Sequence, residues 1–133
     1  MIMKKIISFS LLVTLLASCG GNTEISVGEK TTMEINEIFD AGDVVKGEMV
    51  TAEFTVKNTG DYPLVIGEVK GSCSCTVAEY PEEPIAPGES GKISAHVDTD
   101  KVEAGLLNKS VRIVANTDPS IKQVLIKANV MRK

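Results

Sequence analysis

Three cysteines and one histidine hold most of the chemistry open to this chain of 133 residues. Cys73 and Cys75 stand two apart in Ser72-Cys73-Ser74-Cys75-Thr76. In an extended strand such a pair shares one face, with Cα atoms about 6.5–7 Å apart, near the upper limit for a disulfide. Gly71 just upstream supplies the bend that a bond would need. Closing so small a loop stabilises a fold by only about 1.5 kcal/mol on the chain-entropy account, so a staple is a poor reason for the pair. The pair reads as buried thiols or a local disulfide, as a thiol redox pair, or as two soft ligands for Cu(I) or Zn2+. A closed zinc site takes four ligands, whereas this chain adds only His96 and no second Cys pair, so no tight metal binding is expected.

His96 falls on the polar side of an alternating run, opposite Ile93, Ala95 and Val97, and reads as a surface residue. No Gly-x-Ser-x-Gly elbow accompanies it, which leaves a hydrolytic triad without support. Asp98-Thr99-Asp100-Lys101-Val102-Glu103 opens like a calcium loop. Val102 and Glu103, however, stand where an EF-hand requires an oxygen ligand and a glycine, so this reads as a solvated loop. Glu79, Glu82 and Glu83, beside prolines, read the same way. Without a phosphate-binding loop or a nucleophile–base pair, neither enzyme activity nor a cofactor is expected.

The third cysteine belongs to a different device. Lys4 and Lys5 precede an apolar run from Ile6 to Leu16, and Leu16-Ala17-Ser18-Cys19 follows. The run is shorter than the roughly 20 residues that span a bilayer and suits a cleaved export signal over residues 1–18. Leu16-Ala17-Ser18-Cys19 resembles a bacterial lipobox, which predicts acylation of Cys19 with palmitate-type chains. Each buried methylene contributes about 0.8 kcal/mol, so several chains hold a protein at a membrane with no spanning helix. Gly20 rather than Asp after the cysteine favours the outer membrane of a Gram-negative envelope. Residues 19–32 are mostly small and polar and read as a lipidated tether, leaving 33–133 as the folded domain. The net charge of −4 and the lack of a Lys/Arg run exclude nucleic acid as an expected partner. Aromatic content of 4% with no Trp leaves no stacking platform for bases or sugars.

The domain must position its cysteines with strands. Val50, Ala52, Phe54 and Val56 alternate with polar residues, as do Ile93, Ala95 and Val97, and Val124, Ile126, Ala128 and Val130. With Glu34–Phe39, Leu64–Ile66, Cys73–Val77 and Val111–Ala115 this makes seven candidate strands, and turn residues such as Asn58-Thr59-Gly60-Asp61 separate them. No helical stripe competes. The pattern predicts an all-β, immunoglobulin-like antiparallel sandwich of about seven strands.

The ordered series Phe39-Asp40-x-Gly42, Phe54-x-Val56-x-Asn58-Thr59-Gly60-Asp61-x-Pro63-Leu64-Val65-Ile66, Ser72-Cys73-x-Cys75-Thr76 and Pro81-x-x-Pro84-Ile85-x-Pro87-Gly88-Glu89 resembles a family of bacterial exported proteins. Their domain is of unknown function. It is similar, more distantly, to Hydin-type and major-sperm-protein-type immunoglobulin-like domains. The resemblance spans Glu34 to Val130 and implies the sandwich and export, with no activity attached. The family often has Gly between the two cysteines, where this chain has Ser74. The expectation is a non-enzymatic, lipid-anchored envelope module that binds another protein through a strand edge, with Tyr80 and Ile85 read either as its apolar anchors or as core residues closing the end of the sandwich. The alternative is a metal or thiol redox module centred on Cys73 and Cys75.

Overall fold

The computed structural model describes residues 28–133. Alternation in the sequence becomes alternation of burial. In β3 (Met49–Asn58) every second side chain from Val50 to Asn58 is buried and the others meet solvent. β6 (Ser90–Asp98), β7 (Gly105–Ala115) and β8 (Ile121–Met131) carry the same stripe. Shorter strands complete the set: β1 (Met33–Ile35), β2 (Ile38–Val45), β4 (Ile66–Gly71) and β5 (Thr76–Glu79). They form two four-stranded sheets, ordered β1-β3-β6-β5 and β2-β8-β7-β4. The expected all-β sandwich is found, with eight strands. Pairing is antiparallel throughout except where β2 runs parallel to β8. Phe54, Leu64, Ile93, Ile113 and Ile126 lie fully buried between the sheets. Phe39 of β2 meets Phe54 of β3 edge-on, with centroids 6.3 Å apart, and so joins one sheet to the other.

The extra strand arises because Glu34–Phe39 is not one strand. Met33–Ile35 pairs with β3 in one sheet, and Ile38 onward pairs with β8 in the other. Asn36 marks the crossing: its side-chain oxygen accepts the Thr55 N–H at 3.0 Å just where β1 stops. The Glu37 carbonyl accepts from Leu125 N–H at 2.7 Å on the other side. A strand that changes sheets keeps its alternation, so a one-dimensional pattern does not reveal the switch.

Asn58 explains the Asn-Thr-Gly turn. Its side chain is fully buried, and all four of its hydrogen-bonding positions are used. Nδ2 donates to the carbonyls of Tyr62 (2.7 Å) and Ile85 (2.8 Å), while Oδ1 accepts from the Thr31 hydroxyl (2.8 Å) and Gly60 N–H (3.1 Å). One residue therefore fastens the start of the domain, the β3 turn and the proline-rich loop. Gly60 cannot carry a side chain here, because a Cβ would run into the Thr31 hydroxyl and lie 2.7 Å from Thr32 N.

Thr31 is buried, and its N–H donates to the Asn116 carbonyl at 2.9 Å, so the body begins before residue 33 and takes in the end of the expected tether. The expected signal peptide, Cys19 and the tether through residue 27 lie outside the described residues. Among the described residues no helix is long and apolar enough to cross a membrane. The expected Asp98–Glu103 loop contains a single 3-10 turn, Thr99–Lys101, opened by the Asp98 carboxylate accepting the Asp100 N–H at 3.1 Å.

Candidate functional site

Cys73 and Cys75 lie in a turn, not in the expected strand. Thr76 N–H donates to the Cys73 carbonyl at 3.2 Å, and the backbone doubles back enough to bring the two Cα atoms to 5.2 Å. At that separation the sulfurs are joined as a disulfide. Ser74, standing where glycine would be, fits the turn without a left-handed backbone, since every residue with positive φ in the described chain is glycine. Gly71 is needed instead for proximity: a Cβ there would sit 2.8 Å from Cγ2 and 3.0 Å from the carbonyl oxygen of Thr76. Replacing Gly71 by alanine is therefore expected to displace the start of β5 and destabilise the domain by about 1–3 kcal/mol, read by denaturant unfolding.

The turn carries the chain from β4, at the edge of one sheet, to β5, at the edge of the other. Because the turn intervenes, the run Cys73, Cys75, Val77 is not one stripe. Cys75 is buried at 6% exposure, Cys73 is half-buried, and Val77 stands on the outer face, 63% exposed. Thr76, beside them, is buried, and its hydroxyl lies 3.5 Å from the Cys73 sulfur and 3.7 Å from that of Cys75.

The four sheet edges differ in what they offer. β1 is three residues long, and Asn36 closes the ladder beyond it. β2 is blunted by an irregularity between Asp40 and Asp43 and by two carboxylates: Asp40 of the strand takes the Gly42 N–H at 2.9 Å, and Glu48 of the turn that follows takes the Val45 N–H at 3.0 Å. On β4 the Tyr80 hydroxyl donates to the Gly67 carbonyl at 3.4 Å. β5 is different. Asp98 N–H donates to the Cys75 carbonyl at 2.9 Å, which fixes the phase of the ladder with β6. Val77 and Glu79 then bond inward to β6, while the N–H and C=O of Ala78 face the open edge.

The expected anchors separate. Ile85 is withdrawn from solvent at 7% exposure and exchanges both backbone hydrogen bonds with Leu64, so it packs the end of the core and offers no free surface. Tyr80 is half-buried against the core with its hydroxyl near the surface. The exposed apolar residue of this region is Val77, which the sequence places on the wrong face because the cysteine turn is silent in the alternation. His96 stands opposite Val77 in the β5–β6 ladder, and its Nδ1 is 3.1 Å from the Thr51 hydroxyl. Neither it nor Glu79, Glu82 or Glu83 joins the disulfide in a ligand set, and among the described residues no three His, Cys, Asp or Glu side chains gather as one.

Residues 23–130 match the family model described as Protein of unknown function (DUF1573), and the chain belongs to that family. No curated protein matches it. Among solved structures, a protein of unknown function from Porphyromonas gingivalis is 23% identical with a TM-score of 0.68, over 82% of this chain and 51% of that one. The chain thus spans about half the length of that relative. The ASH/PapD-like domain 7 of human CEP192 is 9% identical with a TM-score of 0.62, over 78% of this chain and 88% of that domain. The secreted serine protease VesC of Vibrio cholerae is 13% identical with a TM-score of 0.59, over 77% of this chain and 24% of the protease. At these identities the likenesses establish the immunoglobulin-like, PapD-like sandwich and nothing of activity.

Proposed function

We propose that this family member is a non-enzymatic, lipid-anchored module of the Gram-negative cell envelope that receives an extended segment of another protein along β5. The observation that carries the reading is the contrast among edges. β1 is short, β2 is capped by Asp40 and Glu48, and β4 turns the Val69 backbone outward but is bridged at Gly67 by Tyr80, whereas β5 turns the Ala78 N–H and C=O outward beside strongly exposed Val77. Main-chain hydrogen bonds to such an edge supply affinity, and an adjacent apolar side chain supplies an anchor. Tyr80 borders the same edge and contributes a second contact. Ala78→Pro tests this, because the N–H it removes is not part of the β6 ladder. With the intact lipoprotein as bait in its own envelope, Ala78→Pro is expected to keep the β signal and lose the co-purifying chain that wild type captures. Equal capture by the folded variant contradicts the edge as the site.

The anchor rests on the order of Lys4 and Lys5, the apolar run and Leu16-Ala17-Ser18-Cys19, with Gly20 favouring the outer membrane. Cys19→Ala is expected to leave the leader uncut and to abolish partitioning into a detergent phase. A variant that still matures and partitions like wild type removes the anchor from the account.

A further inference from the structure

We propose that Cys73–Cys75 is a thiol–disulfide exchange site for a dithiol protein, with Cys73 the sulfur attacked and Cys75 the sulfur that leaves. This goes beyond partner binding on β5 and needs neither the lipid anchor nor that partner.

The turn does not depend on its disulfide for closure. Thr76 N–H to Cys73 carbonyl closes it internally. Asp98 N–H to Cys75 carbonyl ties its far end to β6, and Ser72 N–H to Ser110 carbonyl at 2.8 Å ties its near end to β7. Ser110 N–H also donates to the Ser72 hydroxyl at 3.2 Å. A bond across a loop this small adds little constraint to the unfolded chain, and the folded turn is already held at both ends. The same frame therefore holds a dithiol as it holds the disulfide, which is what reversible exchange requires.

The two sulfurs are unequal. Cys73 is half-exposed, in an open groove bordered by Lys70, Ser74 and Val77, while Cys75 is buried. Exchange proceeds by attack of a thiolate on an accessible sulfur, so access selects Cys73. A thiolate of the partner bonds to Cys73 Sγ, the Cys73–Cys75 bond breaks, and the electron pair departs on Cys75 Sγ. The Thr76 hydroxyl, 3.5 Å from Cys73 Sγ and 3.7 Å from Cys75 Sγ, is placed to turn its donor to the departing Cys75 thiolate, which then takes a proton from solvent. The partner's second thiol, as its thiolate, attacks the partner sulfur of the mixed disulfide and releases Cys73 as a thiolate that is protonated in turn. Two electrons and two protons have passed from the partner dithiol, now a disulfide, to this chain. Thr76 acts as a positioning residue through Cys75.

The test uses the full chain with glutathione and dithiothreitol as probes, followed on the tryptic peptide Gly71–Lys92, which contains both cysteines and excludes Cys19. Reduction by dithiothreitol is expected to leave the circular dichroism unchanged and to reverse on oxidation. Loss of the β signal on reduction would make the bond a structural staple and overturn the proposal. With oxidised glutathione, Cys73 in Cys75→Ser is expected to form its mixed disulfide at least about tenfold faster than Cys75 does in Cys73→Ser. Equal rates, or a faster Cys75, overturn it as well. Thr76→Val is expected to slow reduction of the wild-type pair by glutathione severalfold, and Thr76→Ser to restore it; an unchanged rate in Thr76→Val overturns the hydroxyl's part.

Discussion

Asn58→Leu is expected to destabilise the domain by about 3–5 kcal/mol, from the cost of leaving buried polar groups without partners. Leucine keeps the branching at Cγ, is somewhat larger, and makes none of the hydrogen bonds. The Thr31 hydroxyl and Gly60 N–H lose their acceptor, the Tyr62 carbonyl loses its donor, and the Ile85 carbonyl keeps only Leu64 N–H. Since each buried unsatisfied group costs about 1–3 kcal/mol, the sum is a large fraction of the roughly 5–15 kcal/mol that holds a domain of this size together. Asn58→Asp keeps the acceptor side but sets a second carboxylate oxygen against the Tyr62 and Ile85 carbonyls, and is expected to cost at least as much at neutral pH. Equilibrium urea unfolding of residues 28–133 gives the difference, and a loss under about 1 kcal/mol would show that water replaces the lost partners.

Phe54→Ala is expected to cost about 3–5 kcal/mol, the range for removing a fully enclosed ring. Phe54 has no exposed surface and meets Phe39 of the opposite sheet in an edge-type contact, so its loss opens a cavity between the layers. Phe39→Leu probes the same contact from β2. It is expected to cost less, because Phe39 is only half-buried and leucine fills part of the space. The same unfolding measurement checks the order. If Phe39→Leu cost as much as Phe54→Ala, the weight of the core would lie on the β2 side rather than on β3.

The long strands were legible because their buried and exposed residues alternate without interruption, as from Val50 to Asn58 and from Val124 to Val130. What escaped the pattern were places where the chain changes sheets. Between Ile35 and Ile38 the two-residue step preserves alternation, so two strands read as one. At Cys73–Cys75 the opposite happens: alternation continues on paper while the backbone turns, which moves Val77 from the inner face to the outer one. β4 beyond Ile66 was missed because Glu68 and Lys70 flank a single apolar residue at an edge. The site suffered the same error. The cysteine pair is visible in the sequence, but the open face of β5 depends on the phase of its ladder with β6, set by a bond from Asp98 that no local pattern encodes. For Ile85 the sequence leaves two readings open, interface anchor or core residue closing the end of the sandwich, and the bonds from Leu64 and Asn58 draw it into the core.

The edge account is tested most directly by a photo-activated cross-linking residue placed at Val77, with a second placed at Ile38 as control. Both positions are exposed, but Ile38 lies on the capped β2 edge at the far side of the sandwich. In the intact envelope, cross-linking from position 77 is expected to give a discrete adduct with another chain. That adduct should be lost with Ala78→Pro, and position 38 should give none. An adduct from position 38 alone, or one from position 77 that survives Ala78→Pro in a folded protein, would contradict binding along β5.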